Sequence, residues 1–441
     1  MNKKTENKAV SPWQWVPSLY FAQGIPYVVV MSVAVILFKR MGMSNTDIAL
    51  YTSGLNLPWV IKPLWSPLVD LLKTKRWWIV VMQILVGAGL AGIALTIQGP
   101  LAFRYCLAFM WLLAFSSATH DIAADGFYML GLNEKKQAYF VGIRNTFYRF
   151  AVIFGQGILV MFAGWLEQRY AREMPETAAI PQAWSLTFYL LTILFALLFV
   201  YHYLFLPHPR RDTCTLPPQQ ASAGRVFKEF LGTFTSFFQK KHIVSALIFI
   251  LLYRFAEAQL VKITSPFLLD TPATGGLALS TAEVGFIYGT IGVIALTIGG
   301  IVGGIAMARR GLKSCLWTMT IAMNLPNIVY LYLSFARPES IGIISGCVAI
   351  EQFGYGFGFP SLTYFMMLFS NGKHQTAHYA ICTGFMALGL MLPGMISGWI
   401  EESIGYRAFF VWIMLCTIPS FWATHLVRKN LTDNHSDNSS R

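Results

Sequence analysis

The sequence predicts an all-α integral membrane protein in which twelve transmembrane helices form two six-helix bundles. Three observations predict this fold: the composition, the length of the apolar runs and a weak repeat between the two halves. Of the 441 residues, 55% are hydrophobic and only 12% are charged, whereas soluble globular proteins carry about 25% charged residues. Too few charges remain to cover a water-soluble surface. A soluble domain, a disordered chain, a coiled coil and a disulfide scaffold are therefore excluded.

The apolar residues are grouped in runs long enough to cross a bilayer. Residues 79–99 and 184–206, for example, contain no Asp, Glu, Lys or Arg. About 20 apolar residues in a helix span the hydrocarbon core, and a window of about 19 residues finds such spans. The twelve predicted spans are 13–38, 46–72, 77–98, 101–130, 137–165, 184–206, 243–268, 281–308, 314–335, 339–369, 375–400 and 405–427.

The positions of the basic residues predict the orientation. Of the 33 Lys and Arg residues, 21 lie at the two termini and in the even-numbered loops, seven lie at the odd-numbered loops, and five lie deeper inside spans. The positive-inside rule then places both termini in the cytoplasm, which agrees with an even number of spans. The net charge of +13 reflects this topology, so nucleic-acid binding is not expected. We expect a multi-pass protein of the bacterial inner (plasma) membrane.

Several features are expected to be missing. The six Cys form no CxxC pair and most lie in predicted spans, so no disulfide or metal site is expected. The polar first ten residues are not followed by a short apolar core with a cleavage site, so a removable signal peptide is not expected. The sequence has no GxxxxGK[ST] loop, which argues against ATP as an energy source. We expect no cofactor, and we expect a monomer in the lipid bilayer.

The two halves repeat weakly at matching places. Residues 66–70 and 303–307 each precede a basic cluster, 237 residues apart, while 163–167 read Ala-Gly-Trp-Leu-Glu and 397–401 read Ser-Gly-Trp-Ile-Glu, 234 residues apart. Six-helix repeats joined by a basic loop are typical of major-facilitator transporters, whose substrate site lies between the halves. The predicted domains are an N-terminal bundle over 1–206, a cytoplasmic linker over 207–242, a C-terminal bundle over 243–430 and a disordered tail over 431–441.

The turns after the second and eighth spans are candidate gates. Asp70 stands at a helix end and can hold a following cation such as Arg76 in one of two arrangements. Arg310 belongs to the matching basic cluster of the second half, where Met307 stands in the place of the carboxylate. The alternative is that these basic residues only enforce the topology.

Ionisable residues inside the spans indicate a transport pathway, because a charge at mid-membrane costs about 2.5–3.5 kcal/mol on insertion scales. Asp121 and Asp125 are four residues apart and share a helix face, where two negative charges repel and favour proton binding. The alternative is a static network with neighbouring Arg side chains. Lys262 is expected to extend to the outer interface. The predicted proton-coupling residues are Asp121, Asp125, Glu257 and Glu351.

Aromatic, amide and basic side chains in the spans predict a substrate site. Aromatic rings and amides suit sugars or peptides, and cations suit a carboxylate. The ordinary alternative is that aromatics form interfacial belts and amides join helices. The predicted substrate-binding residues are Tyr20, Gln23, Asn56, Trp59, Lys62, Arg144, Arg149, Arg254, Asn324 and Gln352.

Four segments carry a resemblance to a known family. Residues 62–70 read Lys-Pro-Leu-Trp-Ser-Pro-Leu-Val-Asp, 117–125 read Ser-Ala-Thr-His-Asp-Ile-Ala-Ala-Asp, 253–258 read Tyr-Arg-Phe-Ala-Glu-Ala, and 350–352 read Ile-Glu-Gln. With these segments the sequence resembles the AmpG-type muropeptide permeases of the major facilitator superfamily, along most of its length. It departs from them at His120, where relatives often have Gln.

The resemblance implies proton-driven import of cell-wall fragments, namely N-acetylglucosaminyl-anhydro-N-acetylmuramic acid with or without peptide. These ligands carry carboxylates, and the resemblance implies that Lys62, Arg149 and Arg254 bind them. The first two motifs also resemble those of acetyl-CoA carriers, and the second those of folate–biopterin carriers. A carrier of another anionic solute, such as acetyl-CoA, a siderophore or a pterin, is therefore the alternative.

An enzyme or signalling protein is the third possibility, and the loops argue against an enzyme. A membrane enzyme would need a polar catalytic cluster in a loop. Only the loops over 166–183 and 207–242 are long, and neither contains such a set.

Overall fold

The computed structural model describes residues 11–209, 212, 232, 234–372 and 375–439, and these residues form helices without any strand. The helices are α1 Pro12–Val28, α2 Ala34–Arg40, α3 Asn45–Gly54, α4 Leu57–Leu72, α5 Lys75–Thr96, α6 Ala102–Gly131, α7 Glu134–Val152, α8 Leu159–Tyr170, α9 Glu176–Phe205, α10 Ile243–Leu252, α11 Phe255–Leu269, α12 Thr281–Val284, α13 Val293–Asn324, α14 Ile328–Ala336, α15 Ile341–Ser370, α16 Gln375–Leu415 and α17 Thr417–Ser439. The prediction of an all-α membrane fold is confirmed.

Eight helical stretches of the described chain are long and apolar enough to cross a membrane, compared with the twelve predicted spans. Two of the eight, Thr281–Ala336 and Ala377–Asn430, are 56 and 54 residues long, and each covers two predicted spans. The less apolar stretches 45–72 and 341–370 are helical but are not among the eight. The hydropathy of the helices therefore agrees with a multi-pass protein, and the count of twelve stays a prediction.

The two longest stretches are divided by glycines in the left-handed region. Gly311 has φ 72° and ψ 165°, and Gly405 has φ 76° and ψ 161°. Glycine adopts positive φ without the clash that a Cβ causes. The chain therefore passes from one helix to the next at these points without a long loop, between predicted spans eight and nine and between eleven and twelve.

The described chain forms two compact units, and they differ from the predicted domains. The first unit contains 11–28, 64–154 and the described part of 184–220; the second contains 29–63, 155–183 and the described part of 221–441. Parts of the first, second and fifth predicted spans, and the loop that precedes the sixth, thus pack with the second half of the chain. Most of the predicted linker 207–242 lies outside the described residues, and the predicted domain boundaries stay a prediction.

The unit boundaries fall at irregular points of first-half helices. The π-helical segments Val29–Val33 and Ile153–Ile158 lie at two of these boundaries, Pro63 lies at the third, and Pro181 lies inside α9 close to the fourth. A π turn or a proline interrupts the regular hydrogen-bond ladder of a helix. These helices can therefore bend where they leave one unit and enter the other.

The last helix differs from the predicted end of the chain. α17 continues to Ser439, whereas disorder is predicted for 431–441. This segment contains only one apolar residue, Leu431, so it offers no apolar face to bury. Its disorder stays a prediction.

The repeated Gly-Trp pairs have matching packing in the second unit. A Cβ on Gly164 would clash with the backbone of Ala282, and a Cβ on Gly398 would clash with the backbone of Asn45. The following Trp165 and Trp399 are 57% and 63% exposed. In both repeats, glycine therefore allows a first-half helix to touch a second-half helix, and the tryptophan faces away from the contact.

Replacing Gly398 by Ala is expected to destabilise the protein, because the backbone of Asn45 cannot move aside as a side chain could. Overpacking of this kind costs about 1–3 kcal/mol. Gly304→Ala is the matched control, since a Cβ there meets nothing within 4 Å and Ala favours a helix over Gly by about 0.5–1 kcal/mol. Unfolding of both variants in mixed micelles checks this; equal stability of the two would contradict the close contact.

Candidate functional site

The first cluster lies in the first unit and contains the carboxylate pair of α6. Tyr20 donates its hydroxyl to Asp125 Oδ1 at 3.1 Å, and the Arg144 guanidinium lies 3.3 Å from the same oxygen. Arg144 also donates to the Tyr20 hydroxyl at 3.1 Å, while Gln23 donates its amide to Asp121. The structure thus brings together five of the predicted site residues from three helices, α1, α6 and α7.

The charged members of this cluster remain accessible. The side chains of Asp125 and Arg144 are 38% and 28% exposed, whereas Tyr20 is buried. The Arg144 guanidinium lies 4.6 Å from the centre of the Tyr20 ring and 5.3 Å from that of Tyr128. The aromatic rings hold this cation through favourable cation–π contacts. The cluster therefore forms a polar surface with a fixed cation and a carboxylate that a ligand can reach.

Arg149 differs from Arg144 in its surroundings. It lies five residues further along α7 and is half-buried. The described side chains give it neither a hydrogen bond nor an ion pair. Its neighbour Tyr148 stands 6.4 Å from Tyr27 between ring centres. A cation inside a span without a protein partner is unfavourable, so a ligand carboxylate would stabilise it.

The second cluster lies in the second unit and contains two buried carboxylates. Glu257 of α11 and Glu351 of α15 are 3% and 2% exposed and interact electrostatically. Glu351 accepts hydrogen bonds from the Tyr330 hydroxyl at 3.2 Å and from the Gln352 amide at 3.0 Å. Glu257 Oε2 has no hydrogen-bond partner among the described residues. Neither carboxylate forms an ion pair with a described cation.

Arg254 stands beside these carboxylates at a break between α10 and α11. It donates to the Tyr355 hydroxyl at 2.5 Å, and its guanidinium lies 5.0 Å and 5.3 Å from the ring centres of Tyr355 and Phe359. Its Nε has no partner among the described residues. Arg254 and Glu257 interact electrostatically, although no ion pair joins them among the described residues. Arg254 therefore keeps donor capacity for a ligand.

Other predicted substrate residues have different positions. Asn56 donates to the Ser53 carbonyl at 3.1 Å, and Asn324 donates to the Thr320 carbonyl at 2.9 Å, so both amides bond within the local backbone. Trp59 and Lys62 are half-buried and each has a contact partner. The expectation for Lys262 is wrong: it is only 3% exposed because α16 packs over it near Gly394. A role in substrate binding stays a prediction for Asn56, Trp59, Lys62 and Asn324.

The predicted gating residues form no common cluster. The Asp70 side chain lies outside the described residues. Arg76 donates to the carbonyls of Tyr203 and Leu206 at the end of α9, and its backbone N–H donates to Asp212, which are helix-end contacts. Arg310 is exposed. Their gating role stays a prediction.

His120 belongs to a polar network apart from the carboxylates. Its Nε2 lies 3.1 Å from the Gln83 amide, which lies 2.9 Å from His202 Nδ1; His202 Nε2 in turn lies 3.0 Å from Ser18 Oγ. All four side chains lie in the first unit, on four different helices. A buried network of this kind joins helices, and it explains how a histidine is accommodated at this position.

Sequence reasoning missed a network at the side of the odd-numbered loops. Lys39 Nζ lies 2.7 Å from Asp270 and donates to Asn45 at 2.8 Å. Asn45 donates to Glu401 at 2.6 Å and to the Tyr406 hydroxyl at 2.8 Å, and Tyr406 donates to Asp270 at 2.5 Å. These five residues and the four described next are termed the outer network.

The second part of the outer network surrounds Glu167. Arg40 donates to Glu167 at 3.1 Å and to Glu176 at 2.9 Å, and Thr281 donates to Glu167 at 2.7 Å. Within the second unit, the outer network thus joins first-half residues to second-half residues. Glu167 and Glu401 are the last residues of the repeated pentapeptides at 163–167 and 397–401, which was the signal that could have predicted this network.

Comparison with known proteins identifies the family. A model described as Major Facilitator Superfamily matches residues 18–375. The chain belongs to this superfamily. It is a multi-pass membrane transporter and not an enzyme, and the prediction of AmpG-type family membership is confirmed. Major-facilitator proteins of known structure share the fold: a POT family transporter in complex with a thioalcohol-conjugated peptide has a TM-score of 0.71 at 10% identity, covering 94% of this chain and 95% of that one.

Two curated relatives match this major-facilitator chain over most of its length. The anhydromuropeptide permease of Escherichia coli strain K12 is 24% identical over 420 residues, which cover 94% of this chain and 79% of the relative. The putative transporter AmpG 4 of Rickettsia conorii is 25% identical over 415 residues, which cover 92% and 93%. The similarity therefore extends over most of both halves of the chain.

The Asp125–Arg144 pair is expected to stabilise the first unit modestly, because both groups are partly exposed and solvent screening weakens the attraction. Asp125→Asn and Arg144→Gln are each expected to destabilise the protein, and the double variant to recover part of the loss. The expected coupling is about 1 kcal/mol. Unfolding of the four proteins in mixed micelles measures it; strictly additive losses would show that the two charges do not interact.

Proposed function

We propose that this chain is a proton-coupled importer of muropeptide-like sugars, N-acetylglucosaminyl-anhydro-N-acetylmuramic acid with or without peptide, and that it works by alternating access. The observation that carries the proposal is the similarity to the anhydromuropeptide permease over 94% of this chain. The two clusters add chemical support, because they contain the cations and aromatic rings that could bind such a ligand and the buried carboxylates that could carry a proton.

The ligand chemistry agrees with the cations of the two clusters. An anhydro-muropeptide carries carboxylates and sugar rings. Arg149 has no ion-pair partner among the described side chains, and Arg254 has an unsatisfied Nε, so each can bind a carboxylate oxygen. Tyr20 and Tyr355 lie beside Arg144 and Arg254. Tyr20 is buried, whereas the half-buried Tyr355 offers a surface for a sugar ring. Both units thus contain a cation next to an aromatic residue.

The proton is assigned to Glu257 and Glu351. Neither buried carboxylate forms an ion pair with a described cation, so its ionised form is costly, and a proton removes that cost. Asp125 differs, because Arg144 and Tyr20 compensate its charge. We therefore assign proton coupling to the second cluster and assign the Asp125–Arg144 pair to ligand binding. The two glutamates repel each other when both are ionised, so a proton bound to either one relieves this repulsion and makes the site sensitive to its protonation state.

Alternating access is supported by the outer network and by the bending points. The outer network joins both halves at the side predicted to be external, so its bonds must break before a ligand enters from there. The π segments and prolines at the unit boundaries provide places where helices can bend, as hinge motion requires. The network would thus be a closed outer gate.

Glu257→Gln and Glu351→Gln are expected to lower pH-gradient-driven accumulation of labelled anhydro-disaccharide in proteoliposomes by at least about tenfold, because the amides cannot carry a proton. Counterflow exchange without a gradient and ligand-induced thermal stabilisation should persist. Glu339→Gln is the matched control, since Glu339 is exposed. If both glutamate variants accumulate the disaccharide as the wild type does and Asp125→Asn does not, proton coupling would have to be assigned to the first cluster instead. The same thermal-shift measurement with acetyl-CoA and folate separates this ligand class from other anions.

Arg40→Gln is expected to open the outer network, because Glu167 then stays buried without its cation. A hydrogen bond to a charged group contributes about 1.5–3 kcal/mol, so the open population should rise about tenfold or more. Spin labels at Ala178 and Ala273, both exposed, report the distance across the network in a cysteine-free background. Glu173→Gln is the control, because it removes only the exposed Arg169–Glu173 pair. An unchanged distance distribution in Arg40→Gln would refute the gate.

A further inference from the structure

A pocket lies in the second unit where the chain enters α10, on the side that the basic residues predict to be cytoplasmic. It has a volume of about 430 Å³. Its walls come from 240–242 before α10, from Leu368 and Phe369 at the end of α15, and from Asn430 of α17. The proposed transport function uses none of these residues.

The pocket is basic, and one of its cations is held in place. Lys240, Lys241 and His242 all line it, and no acidic side chain of the described chain does. Lys240 Nζ donates to the carbonyls of Phe369 at 2.6 Å and Asn371 at 2.9 Å and lies 5.4 Å from the centre of the Phe369 ring. Burial lowers the pKa of Lys240 because it disfavours the charged ammonium group. A bound anion would stabilise that charge. The lining therefore favours a negatively charged ligand.

His242 provides an independent indication that the pocket binds something. It has φ 62°, precedes the first residue of α10 and makes no side-chain cap of that helix. Its Nε2 is buried and has no hydrogen-bond partner among the described residues. A buried polar atom without a partner destabilises the folded state, and buried polar groups are almost always hydrogen-bonded. An acceptor oxygen in the pocket would satisfy this nitrogen when it carries a proton.

Apolar surface adjoins the basic pocket. Leu368, in its wall, is 40% exposed, and Val244, in the first turn of α10, is 67% exposed. A soluble anion would gain nothing from such a surface, whereas a lipid places its phosphate beside cations and its acyl chains beside apolar side chains. Basic pockets between transmembrane helices on the cytoplasmic side are suited to anionic lipid headgroups.

We propose that this pocket binds the phosphate headgroup of an anionic phospholipid of the cytoplasmic leaflet, with Lys241 and His242 as its ligands and the acyl chains along Val244 and Leu368. Lys240 holds the wall in position through its two carbonyl contacts. The lipid would thus fix the start of α10 against the ends of α15 and α17. The proposal depends on the predicted orientation and is independent of which solute is transported.

The test titrates the purified full chain in neutral detergent with short-chain phosphatidylglycerol, short-chain phosphatidylcholine or inorganic phosphate, and follows thermal stabilisation. Lys241→Gln and His242→Asn are each expected to weaken phosphatidylglycerol binding about fivefold. Asn tolerates the left-handed conformation of residue 242. Lys241→Arg should restore binding, and Lys313→Gln, which removes an exposed cation outside the pocket, should leave it unchanged.

Selective stabilisation by phosphatidylglycerol, lost in Lys241→Gln and restored in Lys241→Arg, would support the lipid site. Equal stabilisation by inorganic phosphate with the same sensitivity to the variants would overturn it in favour of a soluble anion. Equal loss in Lys313→Gln would also overturn it, because it would indicate general surface charge. Binding of phosphatidylcholine at the same strength would show that the headgroup charge has no role.

Discussion

The cost of placing a charge in hydrocarbon constrains every functional element of this transporter. Such a charge must have a partner, be reached by water or ligand, or carry a proton. Asp125 meets this requirement with Arg144 and Tyr20. Glu257 and Glu351 form no ion pair with a described cation, and we propose that they meet this requirement through protonation. From this difference we infer that the Asp125–Arg144 pair of the first unit binds the ligand. We infer that Glu257 and Glu351 of the second unit couple transport to the proton.

The sequence was sufficient for the class of fold and for part of the site. Apolar runs and basic loops depend only on composition along the chain, so the multi-pass helical fold could be predicted from them. Asp121 and Asp125 could be placed on one face by their spacing, and the structure adds Tyr20, Gln23 and Arg144 around them. The spacing did not indicate which carboxylates are compensated, because that depends on α1 and α7, whose register against α6 no local pattern encodes.

The outer network shows where sequence reasoning reached its limit. The two Gly-Trp-x-Glu repeats were visible in the sequence, yet their meaning required packing. Gly164 and Gly398 allow close contacts between first-half and second-half helices, and these contacts bury Glu167 and Glu401 beside Arg40 and Asn45. Asn56 shows the same dependence on packing: its amide suggests ligand binding, and in the structure it donates to the Ser53 carbonyl one turn away, so its role in binding stays a prediction. A polar residue in a span therefore indicates a function only once its local partners are known.

The most direct test of the central claim is the internal pH of proteoliposomes after ligand is added outside, without an imposed gradient. A coupled carrier must bring protons inward with the ligand. We expect that anhydro-disaccharide acidifies the lumen, that Glu257→Gln abolishes the acidification, and that acetyl-CoA has no effect. Uptake of the disaccharide without any change of internal pH would contradict proton coupling, and acidification by acetyl-CoA alone would contradict the proposed ligand.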